Sequence, residues 1–379
     1  MQGLPSGNAG RRHVRREGKR RVAATIALAA LVSLPAVACG SSTAEHPPSQ
    51  DQRPGTAPSR EEAPIDGPFG RVGGWIAYND GTGIWALNPR KAYLGRSPNT
   101  GPHQWPGVFS PSDYPDDAVR LAGPAAGDPI AWSADGSRLL VARRPASGGP
   151  QEVLFVLDAD GTQTRVVESA DGYSGASNSP DGTRVVYAAG WHASRLELAT
   201  LGDAPPEVLL SSEEGQLQEP AFSPDGGRIA YIDGGGDHSN ALWVVDADGT
   251  SRRKLAGGDW SHVDHLVWSP DGERLAFSCR CPTGTGVYTI GADGTRLTLA
   301  SAPREDEWMP MPQWSPDGSQ IALIHDDYDV IASGQPTTGT LVVVGAKGGE
   351  ERRLARLRLS RVDGRANFRP VTIAWNPAR

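Results

Sequence analysis

Short apolar runs separated by turn-forming residues dominate the sequence from residue 70 to the C-terminus. The most regular of these runs are Leu139-Leu140-Val141, Val185-Val186-Tyr187, Ile229-Ala230-Tyr231, Leu275-Ala276-Phe277 and Ile321-Ala322-Leu323. Each run follows a string of turn formers, in which Pro presets φ, Asp bonds nearby backbone and Gly supplies positive φ. The pattern predicts consecutive β-hairpins in an all-β chain, and the 47 Gly and 32 Pro residues fit that fold class.

The turn string is itself an internal repeat. Its five copies are Trp132-Ser133-Ala134-Asp135-Gly136, Asn178-Ser179-Pro180-Asp181-Gly182, Phe222-Ser223-Pro224-Asp225-Gly226, Trp268-Ser269-Pro270-Asp271-Gly272 and Trp314-Ser315-Pro316-Asp317-Gly318. The Asp positions are 46, 44, 46 and 46 residues apart. A period in the forties is the length of a four-stranded propeller blade. The repeated Asp and Trp residues are therefore interpreted as turn and packing positions.

A sixth blade is divided between the two ends of the propeller region. Ile76–Tyr78, Ile84–Leu87 and Val119–Ala122 match the second, third and fourth strands of the repeat, but no first strand precedes them. The missing strand matches Ile373–Trp375, close to the C-terminus. The sequence therefore predicts a six-bladed β-propeller over residues 70–379, closed by pairing of the C-terminal strand with the N-terminal blade. Residues 88–118 form a Pro-rich insertion in that first blade.

The repeated aromatic-Ser-Pro-Asp-Gly unit resembles that of the TolB-like six-bladed β-propeller family, over about residues 70–379. This resemblance implies an extracytoplasmic protein that recognises other proteins or envelope components. It does not identify the partner, because the fold hosts many roles and because residues 40–69 are too short and too polar to be the separate N-terminal domain of the namesake family.

The N-terminal region has the layout of an export signal. A basic segment, Arg11–Arg21, precedes an apolar run, Val22–Ala38, that is short for a membrane-spanning helix. Cys39 follows small residues and resembles the bacterial lipobox, which implies a lipoprotein signal peptide over residues 1–38 and acylation of Cys39. An ordinary secretory signal and a secreted protein are the alternative. Residues 39–69 then form the lipidated Cys and a polar, disordered tether.

Charge narrows the classes of partner. Residues 39–379 hold 30 basic and 43 acidic side chains, a net charge of -13. Because such a surface repels phosphate backbones, nucleic acid is an unfavourable partner. We expect a monomer without a cofactor that binds an envelope protein, peptide or glycan and is anchored to the outer face of the cell membrane.

Irregular loops on a rigid scaffold commonly carry binding. In a propeller, the loops between second and third strands and those between blades share one face, opposite the Pro-Asp-Gly turns. Aromatic and titratable residues on these loops are predicted to contact the ligand. The candidates are Tyr173, Trp191, His192, His238, Trp260, His262, Trp308, Asp326 and Tyr328.

Catalytic and metal motifs are weak. Gly172-Tyr173-Ser174-Gly175-Ala176 departs from a nucleophile elbow at its last position, and there is no His-Glu-x-x-His string. Cys279 and Cys281 leave three readings open: a local disulfide, a soft-metal site or two free thiols. We therefore predict a non-enzymatic binding scaffold without a metal site. The alternatives are a propeller hydrolase or lyase acting at the channel mouth, and a sensor or accessory subunit of a membrane partner.

Overall fold

The computed structural model describes residues 69, 74–80, 82–88, 118–123, 126–143, 152–169, 172–190, 193–202, 204–213, 215–234, 239–302, 310–326, 338–358 and 373–377. These residues form six four-stranded antiparallel sheets. The first blade contains β1 (Ile76–Asn79), β2 (Ile84–Leu87) and β3 (Ala118–Ala122). The second contains β4 (Asp128–Trp132), β5 (Arg138–Arg143), β6 (Glu152–Asp158) and β7 (Gln163–Ser169).

The third blade contains β8 (Tyr173–Asn178), β9 (Arg184–Ala189), β10 (Arg195–Thr200) and β11 (Glu207–Ser211). The fourth contains β12 (Gln216–Phe222), β13 (Arg228–Gly234), β14 (Asn240–Asp246) and β15 (Arg253–Trp260). The fifth contains β16 (His262–Trp268), β17 (Arg274–Cys281), β18 (Gly284–Gly291) and β19 (Thr298–Ser301). The sixth contains β20 (Gln313–Trp314), β21 (Gln320–Asp326), β22 (Thr338–Gly345) and β23 (Arg352–Arg358), and β24 (Ile373–Trp375) completes the first.

The predicted closure of the ring is confirmed. Strand β24 pairs antiparallel with β1, and Trp375 lies opposite Ile76. Beyond the strand, the Asn376 N–H donates to the Trp75 carbonyl at 2.8 Å, and Nε1 of Trp375 donates to the Gly74 carbonyl at 2.9 Å. The two ends of the propeller region therefore share one sheet, which removes the unpaired edges that an open ring would leave.

The hydrophobic core is divided among the six interfaces between neighbouring blades. One cluster joins Leu140 and Val156 of the second blade to Val185 and Tyr187 of the third. A corresponding cluster joins the first and sixth blades through residues such as Ile76 and Leu341. Because every blade buries its two faces against its neighbours, the strands hold near-continuous apolar runs, as the sequence pattern indicated.

Each blade directs its connections to two opposite ends of the ring. The first-to-second and third-to-fourth strand turns share one end, which we call the turn face. The second-to-third strand connections and those between blades share the other, which we call the loop face. This arrangement follows from antiparallel pairing within every sheet.

Candidate functional site at the mouth of the central channel

One residue position ends the innermost strand of every blade and surrounds the channel, and we call it the rim position. Its six members are Trp132, Asn178, Phe222, Trp268, Trp314 and Trp375. All six are at most 8% exposed. The tryptophans therefore pack between blades, as the sequence analysis expected.

Four of the six rim side chains donate a hydrogen bond to the preceding blade. In each case the acceptor belongs to the preceding blade and is the backbone carbonyl of the residue immediately before that blade's rim residue. The donor–acceptor distances are 3.0 Å for Trp132 and Ala374, 3.2 Å for Asn178 and Ala131, 3.0 Å for Trp268 and Ala221, and 3.4 Å for Trp314 and Val267. Phe222 has no side-chain donor, and its backbone N–H donates instead to Oγ of Ser177 at 3.2 Å.

The Ser-Pro-Asp-Gly turns at this end are fixed by internal hydrogen bonds. In the third blade, Oγ of Ser179 donates to the Asp181 carboxylate at 2.6 Å, and the Thr183 N–H donates to the same oxygen at 3.1 Å. These hydrogen bonds, from Ser179 and then Thr183, lower the pKa of Asp181 to about 2. The repeated Asp residues are thus turn residues, in agreement with the sequence interpretation.

Arginines that follow three of these turns reach the next blade. Their guanidinium groups donate to the turn Gly carbonyl of that blade, at 3.0 Å for Arg138 and Gly182, 3.3 Å for Arg228 and Gly272, and 2.7 Å for Arg274 and Gly318. Arg228 and Arg274 also lie over the rings of Trp268 and Trp314, 4.9 Å and 4.6 Å from the centroids. These arginines therefore link neighbouring blades around the channel through hydrogen bonds and cation–π contacts.

A cavity of about 440 Å³ occupies the channel inside this rim. Its walls include rim residues and the residues that lie two positions after them, in the turns: Ala134, Pro180, Pro224, Pro270 and Pro377. Glu219, His265 and Met311 also line the cavity, each three residues before a rim residue. The cavity wall combines apolar side chains with several polar groups, and a concave wall of both kinds can hold a small ligand or a side chain.

Four neighbouring inner strands bulge beside the cavity: β4 between Pro129 and Ala131, and β8, β12 and β16 at one shared place. The register shifts fall between Tyr173 and Ala176 in β8, between Gln218 and Ala221 in β12, and between Asp264 and Val267 in β16. The bulged residues Gly175, Glu219 and His265 have φ of +128°, +50° and +60°. Bulges of this kind re-aim a side chain and are frequent next to functional sites.

The charge of the cavity comes from one of these bulges. Among the described residues that line it, Glu219 is the single acidic side chain, and Lys and Arg are absent. His265 is the other titratable side chain there. The lining also includes Ser177, Asn178, Ser223 and Gln313. A carboxylate or an imidazole in a pocket of this kind can hydrogen-bond a ligand and can transfer a proton.

Two of the predicted ligand-face residues are buried, and this corrects the sequence analysis. Tyr173 is 4% exposed and packs edge-on against Tyr187, with centroids 5.6 Å apart. Trp260 is 5% exposed and stacks on Phe277 at 5.5 Å. The residues that looked like interface aromatics are in fact part of the blades' own hydrophobic packing, because each ring covers an apolar neighbour at the strand end.

His262 is the one ligand-face candidate that the described structure leaves exposed. Its side chain is 50% exposed on the loop face, and its Nε2 lies 3.9 Å from Oδ2 of Asp264. It does not line the channel cavity. Five other predicted contacts lie outside the described residues: Trp191, His192, His238, Trp308 and Tyr328. For Asp326 the structure describes the strand but not the side chain.

The two cysteines of the propeller are joined at the loop face. Cys279 and Cys281 form a disulfide near the β17–β18 turn, with Cα atoms 5.3 Å apart. Within the described ranges, no group of three or more His, Cys, Asp or Glu side chains is arranged to hold a metal ion. In the same ranges, no helix is long and apolar enough to cross a bilayer.

Sequence reasoning placed the ligand on the loop face and missed the cavity at the turn face. A signal for it was nevertheless present in the repeats. Three residues before the rim position, the blades carry Pro129, Gly175, Glu219, His265 and Met311. Two of these five residues, Glu219 and His265, are titratable, whereas the other blades have Pro, Gly or Met at the same position.

Solved structures of similar fold include two with a TM-score of 0.54. TolB from Acinetobacter baumannii is 16% identical, and the alignment covers 80% of this chain and 66% of that protein. A chain from a nidogen/laminin complex is 13% identical, and the alignment covers 81% of this chain and 100% of that one. At these identities the likeness concerns the fold.

Sequence comparison identifies the family. No curated protein sequence matches this chain. The model of the TolB β-propeller domain matches residues 153–353, which is more than half of the chain. The match runs from β6, the third strand of the second blade, to the start of β23, the fourth strand of the sixth blade. It includes most of the residues that line the cavity. This chain therefore belongs to the TolB β-propeller domain family.

Proposed function

We propose that this protein is an extracytoplasmic binding scaffold that is tethered to the membrane through Cys39 and receives a segment of a partner protein in the mouth of its channel. The cavity inside the rim position carries this proposal. It opens between rigid turns that are held by side-chain hydrogen bonds, so a partner would meet a preformed site. Membership of the TolB β-propeller family supports protein binding at the envelope as the general role.

The turn face is preferred to the loop face for a specific reason. At the loop face, the described aromatic candidates Tyr173 and Trp260 are buried in their own blades. At the turn face, the channel cavity offers a concave surface lined by both apolar and polar groups. Concave and mainly apolar sites with few polar groups are the common form of a binding pocket.

Photo-crosslinking in intact cells tests which face binds. A photoreactive amino acid is placed at Ala134, which lines the cavity mouth in the turn position that is Pro in other blades. The matched control is Ala159, an exposed residue in another turn of the same blade and face. Position His262 reports the loop face. We expect a protein adduct from position 134 alone. Adducts from position 262 only, or none from any position, would contradict the proposal.

The membrane anchor has a separate test. Substitution Cys39→Ser removes the thiol that would be acylated and, with it, the two acyl chains that stable anchoring requires. We expect the wild-type protein to incorporate labelled palmitate and to fractionate with membranes, and the variant to appear in the soluble extracytoplasmic fraction. A variant that stays bound to membranes, or a wild type without label, would count against lipidation.

A further inference from the structure

We propose that Asn178 selects the group that the partner inserts, by binding a side-chain carboxamide, the end of a glutamine or an asparagine, inside the channel cavity. This inference rests on the proposed function and names the chemistry of the inserted group. Asn178 lines the cavity and is only 5% exposed. Its Oδ1 atom is buried and has no hydrogen-bond partner among the described residues. A buried acceptor without a donor beside a cavity indicates a ligand that supplies the donor.

The repeat itself provides the comparison for Asn178. The other five blades have Trp or Phe at the rim position. Nδ2 of Asn178 donates to the Ala131 carbonyl at 3.2 Å, and the indole N–H of Trp132 donates to the corresponding carbonyl of Ala374 at 3.0 Å. A tryptophan in the third blade would supply the same donor, but it has no acceptor atom. The Oδ1 acceptor is therefore what the asparagine adds to the rim.

The charges of the lining favour a neutral ligand. Glu219 and His265 line the cavity, but each already interacts with another group of the chain. Lys and Arg are absent from the described lining. A charged group that entered the cavity would lose its hydration without meeting an opposite charge that is available to it. The burial of a neutral amide costs much less, provided that its hydrogen bonds are made.

A carboxamide matches the neutral polar groups that the cavity offers. Its N–H can donate to Oδ1 of Asn178, and its oxygen is left to accept a hydrogen bond. Gln313 lines the same cavity from the sixth blade, which lies opposite the third in a ring of six. The amide of Gln313 can donate to the ligand oxygen, directly or through a water molecule.

A side chain suits this lining better than a length of backbone does. Each residue of an inserted main chain brings one N–H and one C=O that must be paired. The described lining has four hydroxyl or amide side chains, and one of them, Ser223, already donates to Asp225. A single carboxamide makes its polar demand at one point, while its apolar stem can pack on residues such as Ile130 and Leu266.

Asn178 can turn to meet the inserted group. Its Oδ1 lies within the cavity wall, so the amide must rotate about the Cβ–Cγ bond to present this atom to a ligand. That torsion is soft in asparagine. The 3.2 Å bond from Nδ2 to the Ala131 carbonyl is at the long end of the normal range, so little is lost when it is adjusted.

An NMR titration of the full chain with short peptides tests the inference. The probes are acetyl-Gly-Gln-Gly-amide and the same peptide with the γ-methyl ester of glutamate, which keeps the shape and the carbonyl but lacks the N–H donor. Acetyl-Gly-Gly-Gly-amide reports binding through backbone, and acetyl-Gly-Lys-Gly-amide reports binding of a cation. We expect saturable binding of the glutamine peptide with a shift of the Asn178 side-chain amide signals. The other three peptides should bind at least about fivefold more weakly.

Two variants of Asn178 separate its binding role from its structural role. Asn178→Leu removes the amide and leaves the cavity open, and Asn178→Trp restores the donor to the Ala131 carbonyl without an acceptor. Both should weaken binding of the glutamine peptide about 5- to 50-fold, and the tryptophan variant should keep the wild-type melting temperature. Asn240→Leu is the matched control, because Asn240 also donates to a carbonyl at 3.2 Å, that of Trp260, but does not line the cavity. It should bind the glutamine peptide like the wild type.

Several results would overturn the inference. They are equal binding of the ester and glutamine peptides, binding of the glycine or lysine peptide as tight as that of glutamine, wild-type binding by both Asn178 variants, and no binding of the glutamine peptide to the wild type. A crosslink from position 134 that persists in any of these cases leaves the proposed function standing. Loss of that crosslink while the glutamine peptide still binds removes the proposed function alone.

Discussion

Glu219 and His265 occupy the same register position on neighbouring inner strands, and both hold a left-handed backbone, with φ of +50° and +60°. The repeat provides its own comparison, because the third blade has Gly175 at this position. Two titratable residues thus stand in a conformation that glycine adopts more easily, and both line the channel cavity. A local stability cost and a candidate binding role coincide at one place in the ring.

The first prediction concerns this local cost. Glu219→Gly should leave the free energy of unfolding unchanged or raise it by up to about 1 kcal/mol, because relief of the left-handed strain exceeds the added chain entropy of glycine. Urea denaturation measures the effect. Glu207→Gly, in the exposed strand β11, is the control and should lower stability by about 0.5–1 kcal/mol. A loss at position 219 as large as the control's would contradict the prediction that relief of backbone strain outweighs what the Glu219 side chain contributes.

The second prediction concerns the close approach of two inner strands. A Cβ atom at Gly175 would lie 2.6 Å from the Cα atom of Glu219, whereas one at Gly202 would meet nothing within 4 Å. The two glycines have similar φ, +128° and +124°. Gly202→Ala should therefore cost about 1–2 kcal/mol for conformation alone. Gly175→Ala should cost about 1–3 kcal/mol more, through overpacking.

Thermal and urea unfolding of the two alanine variants separate these effects. Equal losses of stability in both would mean that the third and fourth blades can move apart at the bulge without penalty. In that case the channel wall would be more flexible than the packing indicates, and the cavity would not be a preformed binding site.

Much of the fold could be predicted from the sequence because its signals repeat. The repeated turn sequence predicted five blades. The match of Ile373–Trp375 to the first strand of the repeat predicted how the sixth blade is completed, and the pairing of β24 with β1 confirms this. These signals are local: turn chemistry and short apolar runs act within a few residues.

The site could not be predicted in the same way, since it depends on where strands from different blades converge. Trp260 is an aromatic residue of the kind expected in a binding loop, but it lies at the end of β15, where it stacks on Phe277. Glu219 lies inside a strand, and a polar residue within a predicted strand is ordinarily expected to be exposed to solvent. The bulge that turns it toward the channel depends on neighbouring strands, so the pattern within one blade cannot reveal it.

The third prediction concerns a buried polar group that joins the fifth and sixth blades. His325 is fully buried, and its Nε2 lies 3.0 and 2.9 Å from the two carboxylate oxygens of Glu351. Oγ of Ser301 donates to the same carboxylate at 2.6 Å. Glu351→Ala should lower the free energy of unfolding by about 1–3 kcal/mol, because it removes a charged acceptor from two buried or partly buried groups.

The adjacent residue provides the control for this test. Glu350 is exposed, so Glu350→Ala should change stability by no more than about 0.5 kcal/mol. Chemical denaturation of both variants gives the comparison. Similar effects at positions 350 and 351 would show that the carboxylate contributes little to the contact between the blades.

The last prediction follows from the turn hydrogen bonds. Those from Ser179 and Thr183 lower the pKa of Asp181 from its ordinary value of 3.8 to about 2. Because the folded-state pKa lies below that of the unfolded chain, the ionised carboxylate stabilises the fold above pH 3.8. This contribution is lost as the pH falls from 3.8 towards 2. The hydrogen bonds from Ser223 and Ser315 lower the pKa of Asp225 and Asp317 in the same direction.

Ser179→Ala removes the largest cause of the shift, so the pKa of Asp181 should rise towards 3.8, as an NMR titration of its carboxyl group would measure. Acid unfolding should then begin at a higher pH than in the wild type, because the variant also loses the hydrogen bond that the Arg184 N–H donates to Oγ of Ser179 at 2.9 Å. Ser211→Ala, at an exposed position on β11, should leave both measurements unchanged. If the pKa of Asp181 stayed near 2 without the Ser179 hydroxyl, the backbone N–H of Thr183 would have to account for the shift, and the repeated Ser would matter for the turn's shape alone.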